Sequence, residues 1–438
     1  MPILPEPPTK VRYWILALAV AMAILLYLDR YAFSIVAPLL EQQLKCSKHD
    51  LGTAFGAFFY AYALAQVPAG WLGDRWGGRL TLALYVGLWS AVMAGTAFAQ
   101  TLGMIVLFRI LLGLFQAGAY ATTASFLKRW FPLAQRGMAN GSVAMGGRAG
   151  NLVALLLTPP LIALFTQPLI HAGLGWRITF IVYAGCGGLW AIIFYRYARN
   201  TPDEIAECNP TERALIEGSQ LPSDPRAAAA RPPFPWRELL RSRNVQLLCA
   251  INFCVNVGWI YLVTWLPEHL TESYHLTLAQ AGWFTAGTGL AGMLGCVGGG
   301  WITDFLVRRL GLVWGRRVPA LLACGCPALA YAGCLATDDL WVLLFLLASV
   351  FFFADLWNAA AWSTYQDIGG VHVGSVLAIG NMCGNLGAAL FATKIGDFAN
   401  SGAWWKVFAI SSASFLAALV CWLFVNPRIT IGREEPAA

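Results

Sequence analysis

The sequence predicts an all-α polytopic membrane protein with twelve transmembrane helices in two pseudo-symmetric six-helix bundles. Three observations carry that expectation. Of the 438 residues, 58% are hydrophobic and only 12% charged, whereas soluble domains average about 25% charged residues; there are too few charges here to coat a water-facing surface. Apolar stretches near the roughly 20 residues that a spanning helix needs recur twelve times. A decapeptide also repeats: GWLGDRWGGR at 70–79 returns as GWITDFLVRR at 300–309, each reading Gly-Trp-x-x-Asp followed by basic residues. Internal repeats of this kind are what a two-bundle carrier requires.

The apolar stretches are read at 13–39, 51–73, 80–99, 101–126, 136–165 and 176–198, then at 244–270, 279–305, 317–336, 340–362, 371–397 and 402–425. This divides the chain into a tail (1–12), a first bundle (13–198), a linker (199–243), a second bundle (244–425) and a second tail (426–438). The linker is the one long polar stretch; its prolines and an alanine run at 227–230 suit a linker with one short surface helix. Placing both termini inside puts 21 of the 29 Lys and Arg residues on the cytoplasmic side and 5 outside. Basic residues favour the cytoplasmic face, so this split sets the orientation and accounts for the formal charge of +7 without nucleic acid.

The composition also excludes several chemistries. Most of the eleven cysteines lie inside apolar runs and no CxxC occurs, so neither a zinc site nor a redox site is expected. The five histidines fall in or beside loops, His49 and His269 being candidates for an outer vestibule, which disfavours an intramembrane metal or a catalytic base. A membrane enzyme is thereby disfavoured, and the tails leave no room for a signalling domain. The first apolar run is too long for a cleaved signal and has no small-residue cleavage site.

Three arginines, Arg30, Arg109 and Arg148, fall inside apolar segments. A charge at a helix centre costs about 2.5–3.5 kcal/mol on insertion scales, so they are expected to face a central cavity. A guanidinium fork there matches a carboxylate. The alternative is that they pair with Asp29 or Asp355, the two intramembrane carboxyls, and lock helices together. If instead Asp29 and Asp355 take up protons, all three positive charges are left for an anion, so proton and anion each favour the other's binding. Gln116 shares a helical face with Arg109, and Tyr62 with Gln66. Asn381 and Asn385 share one too, as do Asn252 and Asn256; these amides either bond substrate hydroxyls or staple helices. The Gly-rich run 291–300 reads as close helix packing.

The first decapeptide, with Gly70, Asp74, Arg75, Gly77 and Arg79, resembles the loop motif of the major facilitator superfamily, whose implied role is conformational gating; Asp304 is its counterpart in the second half. Further segments are similar to the anion:cation symporter group of that superfamily, which includes hexuronate, galactonate and vesicular glutamate carriers. They are YLDRYAFSIVAP with Asp29 and Arg30, AYALAQVPAGW with Tyr62, FRILLGLFQAG with Arg109, WFPLAQRGMANG, WLP at 265–267 and GNMCGNLG. The resemblance implies the major facilitator fold and substrate contact by Arg30, Tyr62 and Arg109. The group's usual Glu is Gln116 here, and Arg148 and Asp355 lie outside its common pattern as candidates to replace it.

The expected function is secondary active transport of a small organic anion such as a hexuronate or aldonate, with no catalytic residue, metal or cofactor beyond the coupling proton. The substrate set is Arg30, Tyr62, Arg109, Gln116, Arg148, Asn381 and Asn385, and the proton set is Asp29 and Asp355. An uncoupled facilitator or exchanger is the alternative. The expected setting is a bacterial inner membrane, as a functional monomer.

Overall fold

The structure, a computed structural model, describes residues 7–46, 48–166, 174–218 and 236–431. Much of the linker, including its prolines from Pro222 onward, lies outside the described residues, as do His171, the side chain of His49 and the ends of both tails. No strand occurs among the described residues. The chain runs α1 (Val11–Leu44), α2 (Lys48–Trp76), α3 (Gly78–Ala97), α4 (Leu102–Gln116), α5 (Ala119–Lys128), α6 (Arg136–Phe165) and α7 (Gly175–Tyr197). After α8 (Pro210–Glu217) and α9 (Trp236–Arg241) come α10 (Arg243–Thr264), α11 (Leu266–Tyr274), α12 (Leu278–Cys334), α13 (Leu340–Ile368), α14 (Val373–Asn400) and α15 (Trp404–Phe424).

Ten segments are long and apolar enough to cross a bilayer. One of them, within the 57-residue α12, is two helices in succession, divided at Gly311 with φ 75°. With α12 divided and the 29-residue α2 added, the described residues supply the twelve rods that the sequence predicts. Where a loop was expected between 305 and 317, helix persists up to Gly311 and resumes after it. A left-handed residue is all the chain needs to turn there, and glycine adopts it without a Cβ penalty. The stretch read as 101–126 is broken after Gln116, α4 ending and α5 starting around Gly118. Local signals fix several starts: Thr101 accepts from the Met104 amide, Asp339 from those of Trp341 and Val342, and Thr277 with Gln280 forms a capping box.

The chain divides into two compact units. The first comprises Met1–Leu133, Val143–Pro232 and Val371–Ala378, the second Ala134–Ser142, Pro233–Gly370 and Ile379–Ala438. The opening turns of α6 thus count with the second unit and those of α14 with the first. Without water to drive helices together, packing relies on small residues that let backbones approach. In unit 1 a Cβ on Gly150 would lie 2.9 Å from the Cα of Ile24 in α1. In unit 2 the Gly-rich run presses on α13, where a Cβ on Gly299 would lie 2.8 Å from Leu356 Cα. Large apolar side chains such as Trp14, Leu64, Trp283 and Phe345 stand exposed, as befits a surface solvated by lipid.

One histidine departs from the sequence reading. His269 is not in a loop or a vestibule: α11 carries it into the unit-2 core, 4% exposed, stacked on Trp404 at 4.6 Å with Nδ1 2.5 Å from the Tyr261 hydroxyl. Burial lowers its pKa to about 4. The linker's α8 is a short helix with Leu215 and Glu217 exposed. Its Glu212 is fully buried at the start of α1, pairing with Arg12 at 2.9 Å and accepting from the amides of Val11 and Arg12 at 3.3 Å each and from the Thr9 hydroxyl. Asn209, the N-cap of α8, donates to the Pro7 carbonyl at 2.8 Å.

Candidate functional site

Unit 1 gathers four of the expected substrate residues from α1, α2 and α4. Arg30 sits over the rings of Tyr27, Phe58 and Tyr62 at 5.1, 4.9 and 4.8 Å. Arg109, 2% exposed, sits over Phe33 at 4.4 Å and Phe58 at 4.5 Å. Both guanidinium groups therefore share the Phe58 ring. Aromatic faces attract a cation through their quadrupole without cancelling its charge. Neither arginine forms an ion pair among the described residues, and the Arg109 Nε and Nη1 have no hydrogen-bond partner there.

Gln116 completes the group. Its Oε1 lies 3.4 Å from both the Nε and the Nη2 of Arg30, which donate to it, and its own amide donates to the Leu26 carbonyl at 3.4 Å. A neutral amide thus orients Arg30 and leaves its charge whole. Arg148 is half-buried, and a Cβ on its neighbour Gly147 would lie 3.0 Å from the Tyr27 ring.

Asp29, next to Arg30 in sequence, points elsewhere. Successive helical residues differ by about 100°, and its fully buried carboxylate has no hydrogen-bond or ion-pair partner among the described residues. The helix-locking ion pair between Asp29 and these arginines is therefore not formed.

The remaining expected residues lie in unit 2. Asp355, buried in α13, accepts from Asn358 at 3.3 Å beside Gly292 of α12. Asn385 donates to the Asn381 carbonyl at 3.0 Å, one turn back on its own helix, and both side chains are half-buried. Asn252 bonds the Tyr365 hydroxyl at 2.5 Å and so joins α10 to α13, the stapling role. Among the described residues no cluster of three or more His, Cys, Asp or Glu side chains is placed to hold a metal.

The two copies of the decapeptide do the same physical work. Asp74, closing α2, accepts from the amides of Gly374 and Ser375 at 2.8 Å each and from the hydroxyls of Ser125 at 2.9 Å and Ser375 at 2.8 Å. Asp304 of α12 accepts from the amides of Gly137 at 2.9 Å and Met138 at 2.7 Å. Each carboxylate caps the N-terminus of a helix, α14 in one case and α6 in the other, where free amides and the helix dipole favour negative charge. Gly70 backs onto Gly374. Gly77, with φ 82°, is the sole residue between α2 and α3, and a Cβ there would lie 2.8 Å from Asn200 Oδ1. That oxygen accepts from the Arg79 amide at 3.0 Å, and the Arg79 Nε donates to the Tyr195 carbonyl at 2.9 Å. Arg75 is exposed, over Trp71.

The sequence reading counted Arg136 and Arg316 among the cytoplasmic-side charges; both are fully buried. Arg136 pairs with Asp367 at 2.8 Å, Arg316 with Asp367 at 2.9 Å, and Arg316 reaches Asp304 at 4.0 Å. Asp367 was missed altogether. The signal was an acid ending a long apolar helix, two residues before Gly-Gly.

A helical membrane protein with repeated capping motifs and a cationic cluster in one unit has the build of a solute carrier. The chain belongs to the Major Facilitator Superfamily, whose profile matches residues 19–392. It is 30% identical to the probable sulfoacetate transporter SauU of Cupriavidus necator over 98% of this chain and 97% of that one. It is 26% identical to the D-galactonate transporter of Escherichia coli O6:H1 over 99% and 100%. Among solved structures, the proton:xylose symporter XylE superposes with a TM-score of 0.70 at 15% identity, covering 96% of this chain and 97% of that one, a likeness of fold. These relatives are transporters, not enzymes, and the two sequence relatives carry organic anions.

Proposed function

We propose that the protein is a secondary active transporter that moves a small organic anion, a sugar acid such as a hexuronate or an aldonate, by alternating access and in symport with protons. One observation carries the anion: Arg30 and Arg109 are held against the same ring with no carboxylate partner among the described residues. Two desolvated cations that lack a counter-charge attract an anion, and a carboxylate matches their forks. In this reading Tyr62, Gln116 and Arg148 complete the anion's surroundings, Asn381 and Asn385 take its hydroxyls, and Asp29 and Asp355 carry the protons. The bundles 13–198 and 244–425 are the moving bodies, with both termini cytoplasmic in a bacterial inner membrane and the monomer as the working unit. The 21-to-5 division of basic residues supports that orientation.

Gln116 favours a second reading, an uncoupled exchanger, because the group that orients Arg30 does not titrate. Proteoliposomes holding the purified protein separate the two when D-galactonate and glucuronate are supplied outside. Symport acidifies the lumen as solute enters; solute flux at constant lumenal pH gives the exchanger. If neither acid, nor any other in a panel of sugar acids, sulfonates and dicarboxylates, is moved, the organic-anion reading falls.

A further inference from the structure

The charges gathered in unit 1 do not balance. Arg30 and Arg109 stand 4.9 and 4.5 Å from the same Phe58 ring, close enough for one small solute to span both. The lining around them is aromatic, with Tyr27 and Tyr62 on Arg30 at 5.1 and 4.8 Å and Phe33 on Arg109 at 4.4 Å. Rings hold a cation without cancelling its charge. No acid cancels it either: α4 carries no acidic residue, and Asp29 has no ion-pair or hydrogen-bond partner among the described residues. The side chain that does bond Arg30 is Gln116, whose Oε1 accepts from its Nε and Nη2 at 3.4 Å. A carboxylate of that shape would accept the same two bonds and remove one positive charge. The amide leaves both charges in place. A monoanion bound here matches one arginine and leaves the other desolvated and unmatched, which is costly. A solute with two negative groups matches both.

We propose, resting on the organic-anion reading above, that this site selects a compact dianion, acidic at both ends, over the monoanion of the same length, and that Gln116 sets the preference. Arg30 takes one carboxylate or sulfonate and Arg109 the other, each fork meeting two oxygens. Gln116 orients the Arg30 fork and, being neutral, keeps its charge for the solute. Specificity is a difference of two affinities, and here the difference is one unmatched guanidinium. Among sugar acids this places those with a carboxylate at each end ahead of hexuronates and aldonates.

The test compares matched pairs of solutes that differ by one charge, D-galactarate with D-galactonate and succinate with butyrate. Full-length protein in detergent is titrated with each by calorimetry, at constant ionic strength and about pH 7, where all their carboxyls are ionised. Wild type should bind the dianion of a pair about tenfold more tightly. Gln116→Glu, equal in size, should erase that preference by weakening the dianion about tenfold more than the monoanion, and Arg109→Gln should erase it from the other end. A purely structural role for Gln116 would instead shift both members of a pair alike and keep their ratio. Wild type that binds neither dianion more tightly than its monoanion, or Gln116→Glu with the wild-type ratio, overturns the dianion preference and leaves the anion reading standing. If none of the four solutes binds, the inference falls; if no solute of the wider panel is moved either, the anion reading falls with it.

Discussion

Each unit holds a pair of arginines among its helices, Arg30 half-buried and Arg109, Arg136 and Arg316 buried, and the two pairs are handled in opposite ways. In unit 2, Arg136 and Arg316 are neutralised by Asp367, so their charge is consumed in holding α6, α12 and α13 together. In unit 1, Arg30 and Arg109 lean on aromatic rings and on one amide, which hold the guanidinium groups without cancelling them. The contrast teaches that burial alone does not distinguish a structural arginine from one available to a solute. The partner does.

Asp367→Asn leaves two fully buried arginines uncompensated. Removing one partner of a buried pair typically costs about 3–5 kcal/mol, so the variant should melt far below wild type in detergent or fail to accumulate. Melting within a degree of wild type would mean that Asp367 is not the counter-ion that matters. Arg109→Lys should behave in the opposite manner, with little change in melting because no bond to a carboxylate is lost. Its apparent affinity for the transported anion should fall about tenfold, roughly 1.4 kcal/mol, measured by uptake in proteoliposomes. Unaltered uptake kinetics would remove Arg109 from the solute's path.

Smaller effects refine the picture. Asp304→Asn and Asp74→Asn each leave an oxygen to accept amide bonds but remove the charge from a helix N-terminus. Asp304 also faces Arg316, whereas Asp74 is bonded by neutral hydroxyls. The Asp304 variant should therefore be the less stable, by about 1 kcal/mol; equal melting points would show that the more distant arginine contributes nothing. His269 gives the mildest test. Its folded pKa, about 4, lies below the unfolded value near 6.5, so the folded protein binds fewer protons between those pH values. The stabilisation is complete above about pH 6.5 and is lost as pH falls toward 4. The melting temperature of wild type should drop across that window, and His269→Gln should flatten the part due to this residue. Parallel curves for the two proteins would refute it.

The fold was legible because lipid leaves the chain few choices: backbone polar groups must be satisfied within each helix, and that prints twelve apolar runs on the sequence. The decapeptide repeat was legible because both copies cap a helix and need the same acid. Arg30, Arg109 and Arg148 stood out because charge inside an apolar run is rare and costly. The direction of Asp29 was not legible, since two adjacent residues on a helix face different neighbours and the sequence does not say which. The pairing of Arg136 and Arg316 with Asp367 was not legible, because solvated and buried basic residues at span ends look alike in sequence. His269 was misread because it falls at the end of the run read as 244–270, where sequence does not tell a residue facing a vestibule from one that a further short helix, α11, turns into the core.

The clasp between the start of α1 and α8 bears on how the molecule is handled. Residues 7–12 are wedged against Glu212 and Asn209, so reporters or purification handles belong ahead of Pro7. Trimming the chain back to Tyr13 would strand a carboxylate that four backbone and side-chain donors of residues 9–12 now share, and would loosen the very helix that carries Arg30.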